Sequence, residues 1–383
     1  MGNQEVKAAE AVVIGGGVVG LCVARSLALR KMKVLLLERG ENPGMEASSA
    51  AGGMLAPQCE ADRADEFFEL ACAGRDLYTP FADALREETG IDIELDRTGT
   101  LYLAFTEEDE AEITDRYEWQ RRANLSVEKL NANEARELES WISPRVRAAL
   151  RFPLDVQVEN RRLVRALAES VKRHGVQVRT NAEAIRLIID RERVVAVETS
   201  VGVIHTSVVV MACGAWSSFL TSSGSRFPGV RIEPVRGQML CFALPSPRPV
   251  RHVIYSPRGY IVPRRDGRVL AGSTTEHVGF EARVTAEGLR KISTAATEIA
   301  PQVGGLALTD YWAGFRPRAE DDLPVLGACS EVAGLFYATG HYRNGILLAP
   351  VTGELIAEQI VNNETPALLN RFSPDRFTPV GMF

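Results

Sequence analysis

Gly15, Gly17 and Gly20 stand in G-x-G-x-x-G spacing, and the acid Glu38 follows at the end of a second apolar run. This arrangement suits a dinucleotide. The first glycine allows a tight turn, the second lets a pyrophosphate approach the backbone, and the third lets helix and strand pack closely. The N-terminus of the following helix favours the phosphate charge, and Glu38 can accept hydrogen bonds from a ribose. Far along the chain, Arg316 offers a planar fork able to grip a carboxylate with two parallel charge-assisted hydrogen bonds. On the residues alone, an ion pair with Glu320, Asp321 or Asp322 is the favoured use of that arginine. Arg343 lies in the string Gly340-His341-Tyr342-Arg343-Asn344-Gly345, with a surface ion pair as its plainer role. Tyr260 has a hydroxyl that can orient a small substrate, or it is a core aromatic. The five histidines are dispersed without metal-ligand spacing, and no nucleophilic triad is evident.

These residues need elements to hold them. Ala11 to Ile14 reads as a buried strand, Val18 to Leu29 as a helix and Val34 to Leu37 as the next strand. Apolar spacing predicts a helix within 62–89 ending at Gly90, and a pair of strands over Ile91 to Phe105 around Thr98-Gly99. Thr106 to Asp109 resembles a capping box opening an acidic helix. A helix over 161–174 and a strand over 176–179 follow, then three strand-like runs within 184–211. From 231 the character changes to strands joined by Pro/Gly turns: 231–244, 253–255, 260–264 and 268–272. A helix at 285–299, a strand at 306–316 returning to the first part, a strand at 335–338 and a helix at 345–361 complete the chain. The expected fold is α/β, with a Rossmann-like domain interleaved with an antiparallel-sheet α+β domain and the ligand cleft between them. The nucleotide domain is expected over 8–85, 147–225 and 307–365, and the substrate domain over 86–146 and 226–306.

Composition narrows the class. The 383 residues are 45% hydrophobic and 25% charged, as in an ordinary globular protein of about two domains. A net charge of −6 argues against a nucleic-acid partner. Six scattered cysteines without a C-x-x-C pair read as free thiols in a reducing compartment. No apolar run approaches the length of a bilayer span, so no stable membrane association is expected and the cytoplasm is the expected location.

Three further stretches carry a family resemblance: Ser48 to Pro57, Trp312 to Gly327 and Ala338 to Pro350. With the glycine fingerprint they resemble the FAD-dependent D-amino-acid oxidase family, and within it the glycine oxidases of bacterial thiamine biosynthesis. The resemblance covers about residues 10–361, and the last stretch is its most specific part. It implies non-covalent FAD, held by Gly15, Gly17, Val18, Val19, Gly20, Glu38, Arg39, Ala47, Ser48, Gly52, Gly53, Met54, Ala184, His341, Tyr342, Arg343, Asn344, Gly345, Ile346 and Leu347. Backbone N–H groups at Gly340 to Gly345 would face the flavin edge that becomes negative on reduction. Arg316 would hold an amino-acid carboxylate, with Arg343 and Tyr260 beside the substrate. No residue is expected to act as a strong base, because the flavin carries the chemistry.

The implied reaction is oxidative deamination of glycine or another small amino acid, with oxygen as acceptor and hydrogen peroxide as by-product. Alternatives are a sarcosine, N-methyl or D-amino-acid oxidase, a dehydrogenase, or a flavin-binding assembly factor without turnover. Covalent flavin at a cysteine near the second stretch is not available, since none lies between Cys241 and Cys329. The family implies a homo-oligomer, a homotetramer. Three positions depart from its pattern: Arg258, Thr275 and Arg318. They are expected to add positive charge and remove bulk near the cleft, which weakens the claim on glycine itself.

Overall fold

Ala11–Ile14 is apolar at every position because it is covered on both faces. In the computed structural model, which describes residues 8–223, 230–245 and 249–377, it lies inside a six-stranded sheet. Val34–Leu37 and Val209–Met211 flank it in parallel. Gln177–Arg179 and Leu335–Thr339 extend the parallel set, and Val325–Ala328 closes one edge antiparallel. Successive side chains point to opposite faces. Ala11 and Val13 join a core with Leu21 and Leu27 of the helix Val18–Leu29, Leu167 of Asn160–Arg173 and Leu348 of Gly345–Asn362. Val12 and Ile14 instead meet Leu187, Val194 and Val197 of a second, four-stranded sheet.

That second sheet corrects one expectation. The segment 184–211 holds four strands, not three: Ala184–Asp190, Arg193–Thr199, Gly202–His205 and Val209–Met211. Gly202, at φ +125°, lets the chain reverse between two of them without a polar loop long enough to mark the break.

The third large layer is an eight-stranded sheet. Its order is Leu308–Ala319, Ile232–Ala243, Arg268–Gly272, Gly259–Pro263, Val253–Ser256, Thr100–Ala104, Ala148–Phe152 and Glu128–Asn131. Two of these strands were expected in the nucleotide part. Ala148–Phe152 pairs with Thr100–Ala104, and Leu308–Ala319 runs the length of Ile232–Ala243, from Ala319 opposite Ile232 to Leu308 opposite Phe242. The expected boundaries at 147 and 307 therefore cut off strands of the antiparallel sheet, and the one at 225/226 lies outside the described residues. Ile91 to Phe105 yields one strand, Thr100–Ala104, plus a single bridge from Asp96 to Gln157. Glu94, at φ +57°, breaks the extended run before it. Helix ends match their chemistry: Thr106 and Asp109 form the capping box of Glu107–Arg122, and Gly90 closes Glu66–Thr89 in the left-handed region.

Candidate active site

A cleft runs from the carboxyl ends of the parallel strands to the face of the eight-stranded sheet. Its two halves hold about 1260 and 1180 Å³ of empty space and share Gly17, Ala47, Ser48, Ala212 and Gly214. Together they suit a long ligand with a second, small one at its end.

The first half is built on the strand-to-helix turn. Gly15 takes φ +109°, and a Cβ there would lie 2.3 Å from the Ala212 carbonyl oxygen. Gly20 packs against Gly15 itself and does not line the cleft. At Gly17 a Cβ would meet only Ser48 Oγ at 3.4 Å, so the residue keeps a cradle open at the head of Val18–Leu29. Ser48 Oγ accepts the Val18 N–H at 2.9 Å, which ties the segment after 47 to that helix end. Val18 and Val19 line the junction. Glu38 Oε2 accepts Gly16 N–H at 2.9 Å and its Oε1 accepts Gly40 N–H at 2.8 Å. Both oxygens keep a lone pair for a ribose. Arg39 stacks its guanidinium 3.8 Å from the Trp216 ring centroid and pairs with Glu46 at 2.8 Å. Ala184 closes the far end. These residues fit the adenosine and pyrophosphate of a dinucleotide.

The second half is lined by Ser48, Gly52, Gly53 and Met54 on one side and by His341 to Ile346 on another. Asn344, Gly345 and Ile346 open the helix Gly345–Asn362, whose N-cap makes no side-chain bond. Its free N–H groups and dipole present positive potential to the cleft. Tyr342 holds φ +46°, a conformation uncommon for a bulky residue, and donates its N–H to the Pro317 carbonyl at 2.8 Å. His341 is buried with Nε2 3.0 Å from Thr352 Oγ1, and burial pushes its pKa down to about 3. It is neutral at physiological pH. Leu347 does not line the cleft: its side chain is in the core.

Arg316 projects from Leu308–Ala319 into this half. Among the described residues it makes no ion pair. Nη1 donates to the Thr274 carbonyl at 3.0 Å and Nη2 to Ser273 Oγ at 2.6 Å. The acids proposed to neutralise it are engaged elsewhere or distant: Asp322 with Arg318 and Asp321 with Arg376. No described carboxylate reaches Arg316 within ion-pair distance. Gly237, opposite Gly314 in the neighbouring strand, makes room for it, since a Cβ at Gly237 would lie 2.4 Å from Nη2. Tyr260 lies in the same wall, its hydroxyl donating to Met239 Sδ at 3.3 Å. Arg343 donates to the Tyr255 hydroxyl at 2.8 Å and lies 3.6 Å from Glu60, whose charge holds the guanidinium firmly protonated.

Met239, Ser273 and Glu60 line the site and Tyr255 backs it through Arg343, and all four escaped sequence reasoning. Tyr255 had a signal: a hairpin through Ser256 and Gly259 puts it opposite Tyr260, and the two rings stack at 6.0 Å. The other three are brought in by tertiary packing alone. The three departures prove to be elsewhere. Arg258 donates to Asp109 Oδ2 at 3.0 Å and shares with Thr275 an adjoining groove that meets the cleft at Ser273. Arg318 is engaged by Asp322 and, at 3.3 Å, by Glu233. None of them lines the cleft itself, and acids outside it hold the charges of Arg258 and Arg318.

A dinucleotide cleft on a parallel sheet, opening onto an arginine fork that no described carboxylate pairs, fits a dinucleotide-dependent enzyme acting on a small acid. Residues 10–359 match the FAD dependent oxidoreductase (DAO) family, and the chain belongs to that family. It is 35% identical to the glycine oxidase of Geobacillus kaustophilus over 370 residues, 96% of this chain and 97% of that protein. It is 32% identical over 372 residues to a bifunctional protein ThiO/ThiG of Synechocystis, covering 96% of this chain but only 54% of that protein. The crystal structure of the Geobacillus kaustophilus glycine oxidase superposes with a TM-score of 0.91, at 34% identity, over 97% of this chain and 100% of that one. The chain is therefore an FAD-dependent amino-acid oxidase of the DAO fold.

Proposed function

We propose that this enzyme oxidises glycine, or an amino acid nearly as small, to its imine. The observation that carries the reading is Arg316, a half-buried fork facing the cleft with no described carboxylate within ion-pair distance. A substrate carboxylate is the missing partner. Tyr260 and Ser273 flank the same point, and Arg343 adds a second positive charge. When bound, the flavin supplies the acceptor for the electron pair leaving the α-carbon and passes it to oxygen, giving hydrogen peroxide. The chain's own contribution is placement: Arg316 fixes the carboxylate end and the walls of the cleft turn the α-carbon towards the ring. His341, neutral and bonded to Thr352, is unsuited to take a proton from the substrate. The released imine hydrolyses to a keto acid and ammonia unless it is captured first. Capture of the glycine imine for thiazole assembly is the role we assign, supported by the likeness to a ThiO/ThiG protein.

The oligomer is read as a homotetramer from the family alone. Among the described residues no helix is long and apolar enough to cross a membrane, and the cytoplasm is our reading of the free cysteines. An oxygen-electrode screen of glycine, sarcosine, D-alanine and D-proline tests the substrate assignment. Glycine should give the highest kcat/KM. Preference for sarcosine or D-proline would transfer the reading to an N-methyl or D-amino-acid oxidase, and oxidation of glycine with dyes but not oxygen would make it a dehydrogenase.

A further inference from the structure

Behind the wall of the cleft lies a buried cation that no described carboxylate touches. Arg264 follows the strand Gly259–Pro263 and is only 3% exposed. Nη1 donates to Gln157 Oε1 at 3.0 Å and to the Val158 carbonyl at 2.8 Å. Nη2 donates to the Gly52 carbonyl at 2.8 Å and to Asn160 Oδ1 at 3.1 Å. All four acceptors are neutral. Glu159, the adjoining acid, pairs directly with Arg268 at 3.3 Å and acts on Arg264 only through its longer-range charge, as do Asp266 and Glu94. Nε finds no partner at all. Burial pushes the Arg264 pKa down to about 10, which still leaves it a cation at neutral pH. Burying an unpaired cation is costly, and packing alone does not explain it.

What the fork holds gives the explanation. Asn160 Nδ2 donates to the carbonyls of Ser48 at 2.8 Å and Ser49 at 3.1 Å. Arg264 and Asn160 thus gather the carbonyls of residues 48, 49 and 52 from behind, while Ser48, Gly52 and Gly53 line the cleft in front. The fit is close: a Cβ at Gly53 would lie 3.0 Å from Arg264 Nη2 and 2.1 Å from the Val158 oxygen. Gln157 Nε2 donates to the Pro263 carbonyl at 3.0 Å and so anchors the base of the arginine.

We propose that Arg264 is a positioning residue for the flavin, one that shapes the wall at residues 48–53 and sets a buried positive charge behind that wall. The proposal rests on the assignment of this cleft to FAD and is independent of which amino acid is oxidised. Four carbonyl or amide acceptors set in two directions suit a planar guanidinium and not the compact ammonium of lysine. Electron uptake makes the flavin more negative, so a buried cation nearby favours the reduced state in a low-dielectric setting.

Two variants separate the parts of this role. Gln157→Glu puts a carboxylate against Arg264 and gives up the Nε2 donor to the Pro263 carbonyl, but keeps the bonds to residues 48, 49 and 52. Arg264→Lys keeps the charge and loses the fork. Apo-protein is titrated with FAD by fluorescence, and the midpoint potential of the reconstituted protein is measured by equilibration with a reference dye. Gln157→Glu should keep its FAD affinity within about threefold, and its preference for the reduced state should fall about tenfold, a shift of about 30 mV to the negative for a two-electron couple. Arg264→Lys should bind FAD about tenfold more weakly. An unchanged potential in Gln157→Glu, or unchanged FAD affinity in Arg264→Lys, overturns the proposal. Should Arg264→Lys fail to fold, the potential of Gln157→Glu decides alone. Wild-type apo-protein that takes up no FAD would overturn the cleft assignment itself, and the proposal with it.

Discussion

Arg316 has the fork of a carboxylate receptor, and among the described residues it holds only a serine hydroxyl and a carbonyl. Hydrogen bonds to charged groups contribute about 1.5–3 kcal/mol each. Losing two in Arg316→Ala should lower kcat/KM by about two to four orders of magnitude, while apo-protein stability changes little. Arg316→Lys should recover only part of the loss, because an ammonium cannot form the parallel pair. Steady-state kinetics beside a thermal melt would separate binding from folding. The arginine was legible in the sequence as a candidate, but not its freedom from Glu320, Asp321 and Asp322. That depends on Arg318 and Arg376 taking Asp322 and Asp321, which no spacing reveals. Arg258 and Thr275 were misplaced because each lies beyond the end of its strand: Arg258 in the turn before Gly259–Pro263, Thr275 after Arg268–Gly272. Strand alternation does not extend to them.

The elements at the cleft make two predictions. In the glycine turn, Gly17 and Gly20 differ sharply. A Cβ at Gly20 would lie 1.9 Å from the Gly15 carbonyl oxygen, whereas one at Gly17 meets only a serine hydroxyl. Gly20→Ala should destabilise the fold by about 1–3 kcal/mol or more. Gly17→Ala should fold with stability within about 0.5 kcal/mol of wild type and yet bind FAD more weakly. Urea melts of the apo-proteins and FAD titrations would show the split. The second prediction concerns Asp155, which accepts the N–H groups of Gln58 at 3.3 Å and Cys59 at 2.7 Å at the start of the short helix carrying Glu60. Burial pushes its pKa up to about 7, against about 3.9 when unfolded. Between these values the folded protein binds the extra proton, so the stability from Asp155 is complete below the lower value and is lost as pH rises towards 7. Melts of Asp155→Asn at a series of pH values should show the variant gaining on wild type across this window and no further above it. A difference independent of pH would contradict the assignment.

Over the whole molecule, what was legible followed how locally each feature is determined. The glycine turn and the 340–345 string act largely through their own backbone, so their positions could be read directly. The eight-stranded sheet could not be assembled in the same way. Its strands come from 100–104, 128–131, 148–152, 232–272 and 308–319, and only the observed pairing shows that the first and last groups share one sheet. This is why Met239 and Ser273 come beside Arg316, and why the expected limits at 147 and 307 cut through that layer. The cleft joins the parallel sheet to this one, so FAD filling it should hold both together. At a free concentration about 100 times its Kd, FAD should stabilise the protein by about 2.7 kcal/mol, seen as a rise in Tm that grows with added FAD.

The central claim is that a small amino acid, gripped by Arg316, gives its electrons to the flavin in this cleft. Anaerobic mixing of the yellow holoenzyme with glycine tests it most directly. The flavin absorption band should bleach in wild type and return on admitting oxygen, with bleaching slowed at least about a hundredfold in Arg316→Ala at subsaturating glycine. A band that stays unchanged in wild type, or that bleaches equally fast in the variant, would contradict the claim.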